Sequence, residues 1–263
     1  MIDIIIAASV LGIMGIIFGI GLSIAAKVFA VEVDERVAEI RKVLSGANCG
    51  MCGCVSCDAY AEAVALKKFK VNACVVGGNI VANAIGNIMG VKADEVKEVT
   101  ARVLCNGVCS VTNDKFLYSG VKTCLAEAQI YNGRKSCSYA CLGNGDCVKV
   151  CDFDAIYIKD GIAMVNEKNC RACGKCVATC PKKIIVLEPK DNKVTVICSS
   201  KDKGPITKKN CSVGCIGCTL CVKKCPSNAI NMDGHLAIID YEKCTNCGEC
   251  VTVCPTKAIV FYA

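Results

Sequence analysis

Three cysteine runs with one shared spacing constrain this chain more than any other feature. Residues 170–181, 215–226 and 244–255 each read C-x2-C-x2-C-x3-C-P. In that spacing three thiolates surround one iron–sulfur cubane, and the fourth reaches a neighbouring cluster. A degenerate fourth run extends over 137–151. These runs predict [4Fe–4S] clusters and one-electron chemistry.

Composition argues against the other uses of cysteine. The chain has 26 cysteines among 263 residues, a density typical of disulfide scaffolds or of metal clusters. Disulfide scaffolds are usually short and secreted, whereas this chain is long and shows no cleavable signal sequence. Zinc ribbons take cysteines in pairs rather than triplets. The chain has a single histidine, which excludes a two-histidine Rieske centre.

The formal net charge of +7 gives a misleading impression of a basic protein. A [4Fe–4S] core with four thiolates adds about −2, so five or six sites would bring the net charge to about −3 to −5. The excess lysine and arginine then compensates cluster charge. No basic run is interleaved with aromatic residues, so no nucleic-acid partner is predicted.

The N-terminal segment predicts a membrane anchor. Residues 4–26 carry no charged side chain, and at about 1.5 Å per residue they extend about 34 Å, enough for a bilayer core. Basic residues such as Lys27 and Arg36 follow the segment and favour the cytoplasmic side. We therefore expect a transmembrane anchor over 1–27. It would place the chain in the cell (inner) membrane as a single-pass protein, with its cysteine-rich body in the cytoplasm.

Residues 28–90 predict a stalk helix followed by a small helical Fe–S domain. Apolar residues recur at helical spacing up to Leu44. A C-x2-C-x4-C-x16-C pattern follows, formed by Cys49, Cys52, Cys57 and Cys74. Glycine-rich loops allow these thiolates to converge on one cluster, with a zinc site as the alternative. Cys54 lies between two of them and is expected to be a spare thiol.

Residues 91–136 form a linker segment whose cysteines leave two possibilities open. The apolar spacing over 93–104 predicts a helix. Three cysteines follow, one fewer than a cluster needs: Cys105, Cys109 and Cys124. A possible sixth cluster would take its fourth ligand from Cys137, Cys198 or Cys211. The alternative is that these are structural thiols or part of an unrelated metal site.

An internal duplication organises the rest of the chain. Residues 137–189 and 211–263 align without a gap at an offset of 74. Each copy has an Asp-Gly pair between short apolar runs, which predicts a β-hairpin. We therefore predict an α+β fold with two tandem bacterial-type 2[4Fe–4S] ferredoxin units, at 137–190 and 205–263.

The crossover rule assigns the ligands of the two ferredoxin units. Asn144 occupies the position of Cys218 in the repeat, so Cys137 is the predicted substitute. The predicted sets are Cys215, Cys218, Cys221 and Cys254; Cys225, Cys244, Cys247 and Cys250; Cys151, Cys170, Cys173 and Cys176; and Cys137, Cys141, Cys147 and Cys180. With the Fe–S domain, the chain is expected to hold five or six [4Fe–4S] clusters.

Residues 44–61, LSGANCGMCGCVSCDAYA, resemble the Fe–S domain of the B-type subunit of the Rnf electron-transport complex. The family pattern is close to L-P-G-A-N-C-G-G-C-G-Y-P-G-C-D-G-Y-A, and no departure from it removes a ligand. The positions that depart from it include Ser45, Met51, Cys54, Val55 and Ser56. The resemblance continues through 74–78 and the ferredoxin runs.

The resemblance implies an electron-relay subunit in a membrane complex. That complex couples electron transfer from reduced ferredoxin to NAD+ with translocation of Na+ or H+. The flavins, the NAD site and the ion path would lie in other membrane and peripheral subunits. The cysteine-rich body has no dinucleotide-binding or flavin-attachment signature, so we predict no catalytic residue and no complete active site in this chain alone.

Two other functional classes remain as alternatives. One is a membrane-tethered polyferredoxin that serves a hydrogenase or another reductase, although such partners do not usually bring the C-x2-C-x4-C-x16-C module. The other is a redox sensor or a zinc-binding structural protein. A sensor needs one labile cluster, whereas this chain has enough cysteines for five or six.

Overall fold

The architecture is a series of short helices and two-stranded sheets that hold the cysteines in loops. The computed structural model describes residues 2–28 and 34–262. Its helices are α1 (Ile2–Val28), α2 (Glu35–Val43), α3 (Cys57–Ala65), α4 (Gly78–Met89), α5 (Cys124–Gln129), α6 (Asp146–Lys149), α7 (Lys175–Thr179), α8 (Gly204–Asn210), α9 (Leu220–Lys224) and α10 (Glu249–Thr252). Its strands are β1 (Val99–Val103), β2 (Ile156–Lys159), β3 (Ile162–Val165), β4 (Ile185–Pro189), β5 (Val194–Val196), β6 (Ile230–Asp233), β7 (Leu236–Ile239) and β8 (Ile259–Phe261).

The N-terminal helix α1 corrects one expectation. Over the described residues, no helix combines the length and the apolar character needed to span a bilayer. This finding contradicts the N-terminal transmembrane helix that was part of the predicted fold class. The corrected fold class omits that helix.

Helices α2, α3 and α4 form the small Fe–S domain. Each helix buries one large side chain at their common contact, namely Ile40, Tyr60 and Ile85. Side-chain caps begin two of the helices: Asp34 accepts from the Arg36 N–H, and Ser56 accepts from the Ala59 N–H. The predicted stalk helix corresponds to α2, and residues 31–33 at its start lie outside the described residues.

Each ferredoxin unit contains a hairpin and a second two-stranded sheet. The hairpins are β2–β3, with Ile156 opposite Val165, and β6–β7, with Ile230 opposite Ile239. Both predicted hairpins are therefore confirmed. The second sheets are the antiparallel pairs β1–β4 and β5–β8. Each unit thus closes its C-terminal strand against a strand that precedes its cysteine runs.

Strand β1 replaces the helix expected over 93–104. Its residues Thr100, Ala101 and Arg102 are all buried, and Ala101 lies opposite Leu187 of β4. Valine and threonine favour a pleated, buried environment, and pairing with β4 satisfies the backbone groups of the segment. The helix prediction was wrong because the apolar spacing of a short segment contains no information about a strand partner that is distant in the sequence, here β4.

Candidate iron–sulfur sites

Cysteines converge on five cavities of nearly equal volume, 320–350 Å³. All 26 cysteines are free thiols. Four cysteines line each cavity, and the surface of each cavity is mostly apolar. The sets are Cys49, Cys52, Cys57 and Cys74; Cys215, Cys218, Cys221 and Cys254; Cys151, Cys170, Cys173 and Cys176; Cys124, Cys141, Cys147 and Cys180; and Cys105, Cys137, Cys198 and Cys211.

In the Fe–S domain the structure brings together the four cysteines expected from the sequence. Helix α3 begins at Cys57, whose N–H donates to Asn48 Oδ1 at 2.8 Å. Gly50 adopts a φ of 74°, a conformation that glycine tolerates best and that turns the loop between the first two cysteines. Cys54 does not line the cavity.

In the second ferredoxin unit the cavity set follows the crossover. Cys221 lies in α9, while Cys254 follows α10 and reaches the same cavity. Three cysteines of the other predicted set, Cys225, Cys244 and Cys250, pack in the core of this unit, whereas Cys247 is exposed. Burial raises the pKa of the Cys250 thiol to about 11, and the nearby charges of Cys244 and Cys225 contribute to the rise.

In the first unit one predicted set is assembled with backbone donors aimed at its sulfurs. The Ala101 N–H donates to Cys170 Sγ and the Ala155 N–H to Cys151 Sγ, both at 3.4 Å. The second unit repeats one of these bonds, from Ala229 N–H to Cys225 Sγ at 3.3 Å. Such bonds stabilise negative charge on a ligating sulfur.

The other cavity of the first unit contains Cys124, where the sequence indicated Cys137. Helix α5 begins at Cys124, after Thr123 caps it by accepting from the Ala126 N–H. The helix is held against the unit by its fully buried Glu127. Cys124 joins Cys141, Cys147 and Cys180 around the cavity, and Cys137 lies elsewhere.

Asn144 explains why a distant helix reaches this cavity. Its Nδ2 donates to Glu127 Oε2 at 2.6 Å, and Arg134 Nη1 binds the same oxygen at 2.6 Å. Asn144 occupies the position that Cys218 has in the second unit. Through its hydrogen bond to Glu127, Asn144 therefore holds α5, the helix that begins at Cys124. The spacing of Cys124 carried no signal for this role, because the ligand comes from a separate helix rather than from the repeated run.

The predicted grouping of Cys105, Cys109 and Cys124 is not assembled. Cys124 lines the cavity described above, and Cys105 lines a different one with Cys137, Cys198 and Cys211. Cys109 is exposed and lines neither of these two cavities, and its N–H donates to the Asp160 carbonyl at 3.0 Å. The structure thus places the three residues at three separate locations.

Burial raises the pKa of most core thiols. The pKa rises to about 11 for Cys137, Cys141, Cys176, Cys198 and Cys221, and to about 12 for Cys147. A buried thiolate is costly unless a positive group lies beside it. A cationic iron–sulfur core supplies that charge, and its binding displaces the thiol protons.

The arrangement of donors fits a cluster better than a single ion. Among the described residues, no group of three or more His, Cys, Asp or Glu side chains is arranged to hold one metal ion. Tetrahedral zinc, with Zn–S bonds of about 2.3 Å, would require sulfurs within about 3.8 Å of one another. Four thiols around a larger apolar cavity suit a [4Fe–4S] cubane.

Comparisons with known proteins agree with this chemistry. A family model for a 4Fe-4S dicluster domain matches residues 214–258, and a family model for an Fe-S cluster matches residues 44–76. The two matches fall on the second ferredoxin unit and on the Fe–S domain. They confirm that both segments are iron–sulfur domains.

Curated relatives extend the similarity over most of the chain. It is 44% identical to the B-type subunit of the Na(+)-translocating ferredoxin:NAD(+) oxidoreductase complex of Acetobacterium woodii, over 92% of this chain and 73% of the relative. It is 41% identical to the B-type subunit of the ion-translocating oxidoreductase complex of Methanosarcina acetivorans, over 95% and 96%. It is 40% identical to the B-type subunit of the proton-translocating ferredoxin:NAD(+) oxidoreductase complex of Clostridium ljungdahlii, over 90% and 84%. At these identities and coverages, the chain belongs to the family of B-type subunits of ion-translocating (Rnf) oxidoreductase complexes.

Proposed function

We propose that this chain is the iron–sulfur electron-relay subunit of a membrane complex that couples electron transfer from reduced ferredoxin to NAD+ with translocation of Na+ or H+. The observation that carries the proposal is the set of similar four-cysteine cavities in a chain whose relatives are subunits of such complexes. Other subunits of the complex supply the flavins, the NAD site and the ion path.

Four of the five ligand sets correspond to cavities, and the fifth is the set that the crossover spacing predicts, with three of its cysteines in the core of unit 2. The five sets are Cys49, Cys52, Cys57 and Cys74; Cys124, Cys141, Cys147 and Cys180; Cys151, Cys170, Cys173 and Cys176; Cys215, Cys218, Cys221 and Cys254; and Cys225, Cys244, Cys247 and Cys250. When bound, each [4Fe–4S] cluster accepts and releases one electron. The protein's part is to hold the thiolates, donate N–H groups to sulfur and exclude water.

Contacts between the Fe–S domain and the first ferredoxin unit support a continuous relay. Met51, in the loop of the Fe–S domain, packs so closely on Gly174 that a Cβ there would lie 2.6 Å from its Sδ. Burial raises the pKa of Cys173, and the charge of Cys49 raises it further, because the two thiols are near each other. The two sets are therefore neighbours in space, and within unit 1 the helix α7 separates Cys173 from Cys180.

The proposal is tested by mixing the anaerobically purified full chain with reduced ferredoxin. The oxidised protein should be brown, and its broad absorbance near 400 nm should bleach as ferredoxin is oxidised. Ferredoxin that stays reduced beside a brown protein would contradict the donor assignment. A colourless protein containing zinc would contradict the iron–sulfur relay itself.

A further inference from the structure

One four-cysteine cavity remains outside the five ligand sets. It lies between the two ferredoxin units and is lined by Cys105, Cys137, Cys198 and Cys211. Three of these thiols are buried, with exposed fractions of 8–9%, and the fourth is half-buried. Its volume of 350 Å³ is similar to the volumes of the other four cavities, 320–340 Å³. Cys137 belongs to the first ferredoxin unit and Cys211 to the second, while Cys105 and Cys198 follow β1 and β5, the strands that pair with the C-terminal strands of the two units.

The four cysteines form two equivalent pairs. Cys137 and Cys211 occupy the same position in the duplication, at the offset of 74. Cys105 and Cys198 each lie two residues after the end of the first strand of a unit. The strand ends are equivalent because Val103 lies opposite Ile185 and Val196 lies opposite Ile259, again an offset of 74 between partners. The cavity therefore has pseudo-twofold symmetry.

The hydrogen bonds around the cavity repeat with the same symmetry. Cys105 Sγ accepts from the N–H groups of Gly107 and Cys141, both at 3.4 Å. Cys198 Sγ accepts from the equivalent N–H groups of Ser200 at 3.5 Å and Cys215 at 3.3 Å. Two backbone N–H groups therefore donate to the sulfur of Cys105 and two to the sulfur of Cys198. Such bonds stabilise the negative charge of a ligating thiolate.

Gly107 brings the backbone close to both sides of the cavity. A Cβ at this position would lie 3.5 Å from Cys105 Sγ and 3.8 Å from Cys211 Sγ, and only 2.9 Å from Thr112 Cγ2. A larger residue would force the loop away from the sulfurs. The loop therefore packs closely against two thiols that are 106 positions apart in the chain, Cys105 and Cys211.

We propose that Cys105, Cys137, Cys198 and Cys211 bind a further [4Fe–4S] cluster, which joins the relay of the first ferredoxin unit to that of the second. The inference rests on the proposed electron-relay function. On binding, the four thiols become thiolates and release four protons to solvent.

The position of the cavity gives it a bridging role. The Cys141 N–H that donates to Cys105 belongs to a ligand of unit 1, and the Cys215 N–H that donates to Cys198 belongs to a ligand of unit 2. Cys141 thus links this cavity to a proposed cluster site of unit 1, and Cys215 links it to a proposed cluster site of unit 2. Without a cluster here, the two halves of the relay would lack this connection.

Iron analysis of cysteine variants tests the proposal on the full chain, purified anaerobically. Cys198→Ala, Cys211→Ala and the double variant should each lose about four irons per chain, since one cluster holds four. Cys109→Ala, an exposed cysteine outside the cavity, should lose none. Full iron in both single variants would overturn the proposal, and so would a loss of about eight irons in the double variant.

Two further measurements keep the result interpretable. If the alanine variants do not fold, the iron analysis is repeated on Cys198→Ser and Cys211→Ser, which conserve the size of the side chain. In stopped-flow reduction by reduced ferredoxin, the variants should leave part of the remaining absorbance to bleach at least tenfold more slowly. Bleaching as fast as in the parent protein would overturn the bridging role.

Failure of this inference is distinguishable from failure of the proposed function. A parent protein with about 20 irons that are unaffected by Cys198→Ala would retain the relay and lose only the bridging cluster. A parent protein with little iron and with zinc would overturn both.

Discussion

Pairwise removal of Cys124 and Cys180 tests the ligand set that departs from the repeated cysteine spacing. The structure places both residues on one cavity, 56 positions apart in the chain. Because a [4Fe–4S] cluster contains four irons, Cys124→Ala and Cys180→Ala should each lower the iron content by about four per chain. The double variant should also lose about four, since the second substitution removes a ligand of a site already lost.

Iron and acid-labile sulfide are measured on the anaerobic full chain, together with the EPR spectrum after reduction. Cys124→Ala and Cys180→Ala should abolish the same EPR signal. Leu125→Ala, at the exposed neighbouring position of α5, is the matched control and should retain full iron. If Cys137 completed this site instead, Cys124→Ala would keep full iron, or the double variant would lose about eight. Either result would refute the assignment of Cys124.

Further predictions concern stability and crossover. Arg102 is buried and forms ion pairs with Glu188 at 3.3 Å and Glu167 at 3.0 Å, so Arg102→Ala should lower the free energy of unfolding by about 3 kcal/mol, measured by denaturant titration of the holoprotein. Lys190→Ala, which removes an exposed ion pair with Glu98, should cost less than about 1 kcal/mol, and equal effects would contradict this account of Arg102. Glu127→Ala should likewise cost about 3 kcal/mol and reduce the iron content, because Arg134 and Asn144 lose their buried partner and α5 its anchor. Cys225→Ala and Cys254→Ala should remove different EPR signals and together lose about eight irons; loss of the same signal would contradict the crossover.

Local spacing predicted most of the iron–sulfur framework. The C-x2-C-x2-C runs and the Asp-Gly hairpins are contained within short segments, so the sequence alone indicates which residues lie together. The family matches to residues 44–76 and 214–258 confirm the iron–sulfur character of the two segments concerned. The ligand assignments themselves remain predictions that the cysteine variants test.

The features that sequence analysis missed depend on contacts between distant segments. Cys124 reaches its cavity because Asn144 and Arg134 hold Glu127, and no spacing rule encodes that network. Cys105 and Cys198 become equivalent only when β1 pairs with β4 and β5 with β8. The equivalence is hidden in the sequence, where these cysteines are 93 positions apart while the duplication has an offset of 74. A segment of about 20 residues that includes Cys109 and Cys124 accounts for the difference in the first unit.

The most direct test of the central claim is the metal and sulfide content of the full chain purified without oxygen. If its thiols hold iron–sulfur clusters at the five sites and at the bridging cavity, each chain should contain about 24 irons and about 24 sulfides. A chain with zinc, little iron and no acid-labile sulfide would contradict the account.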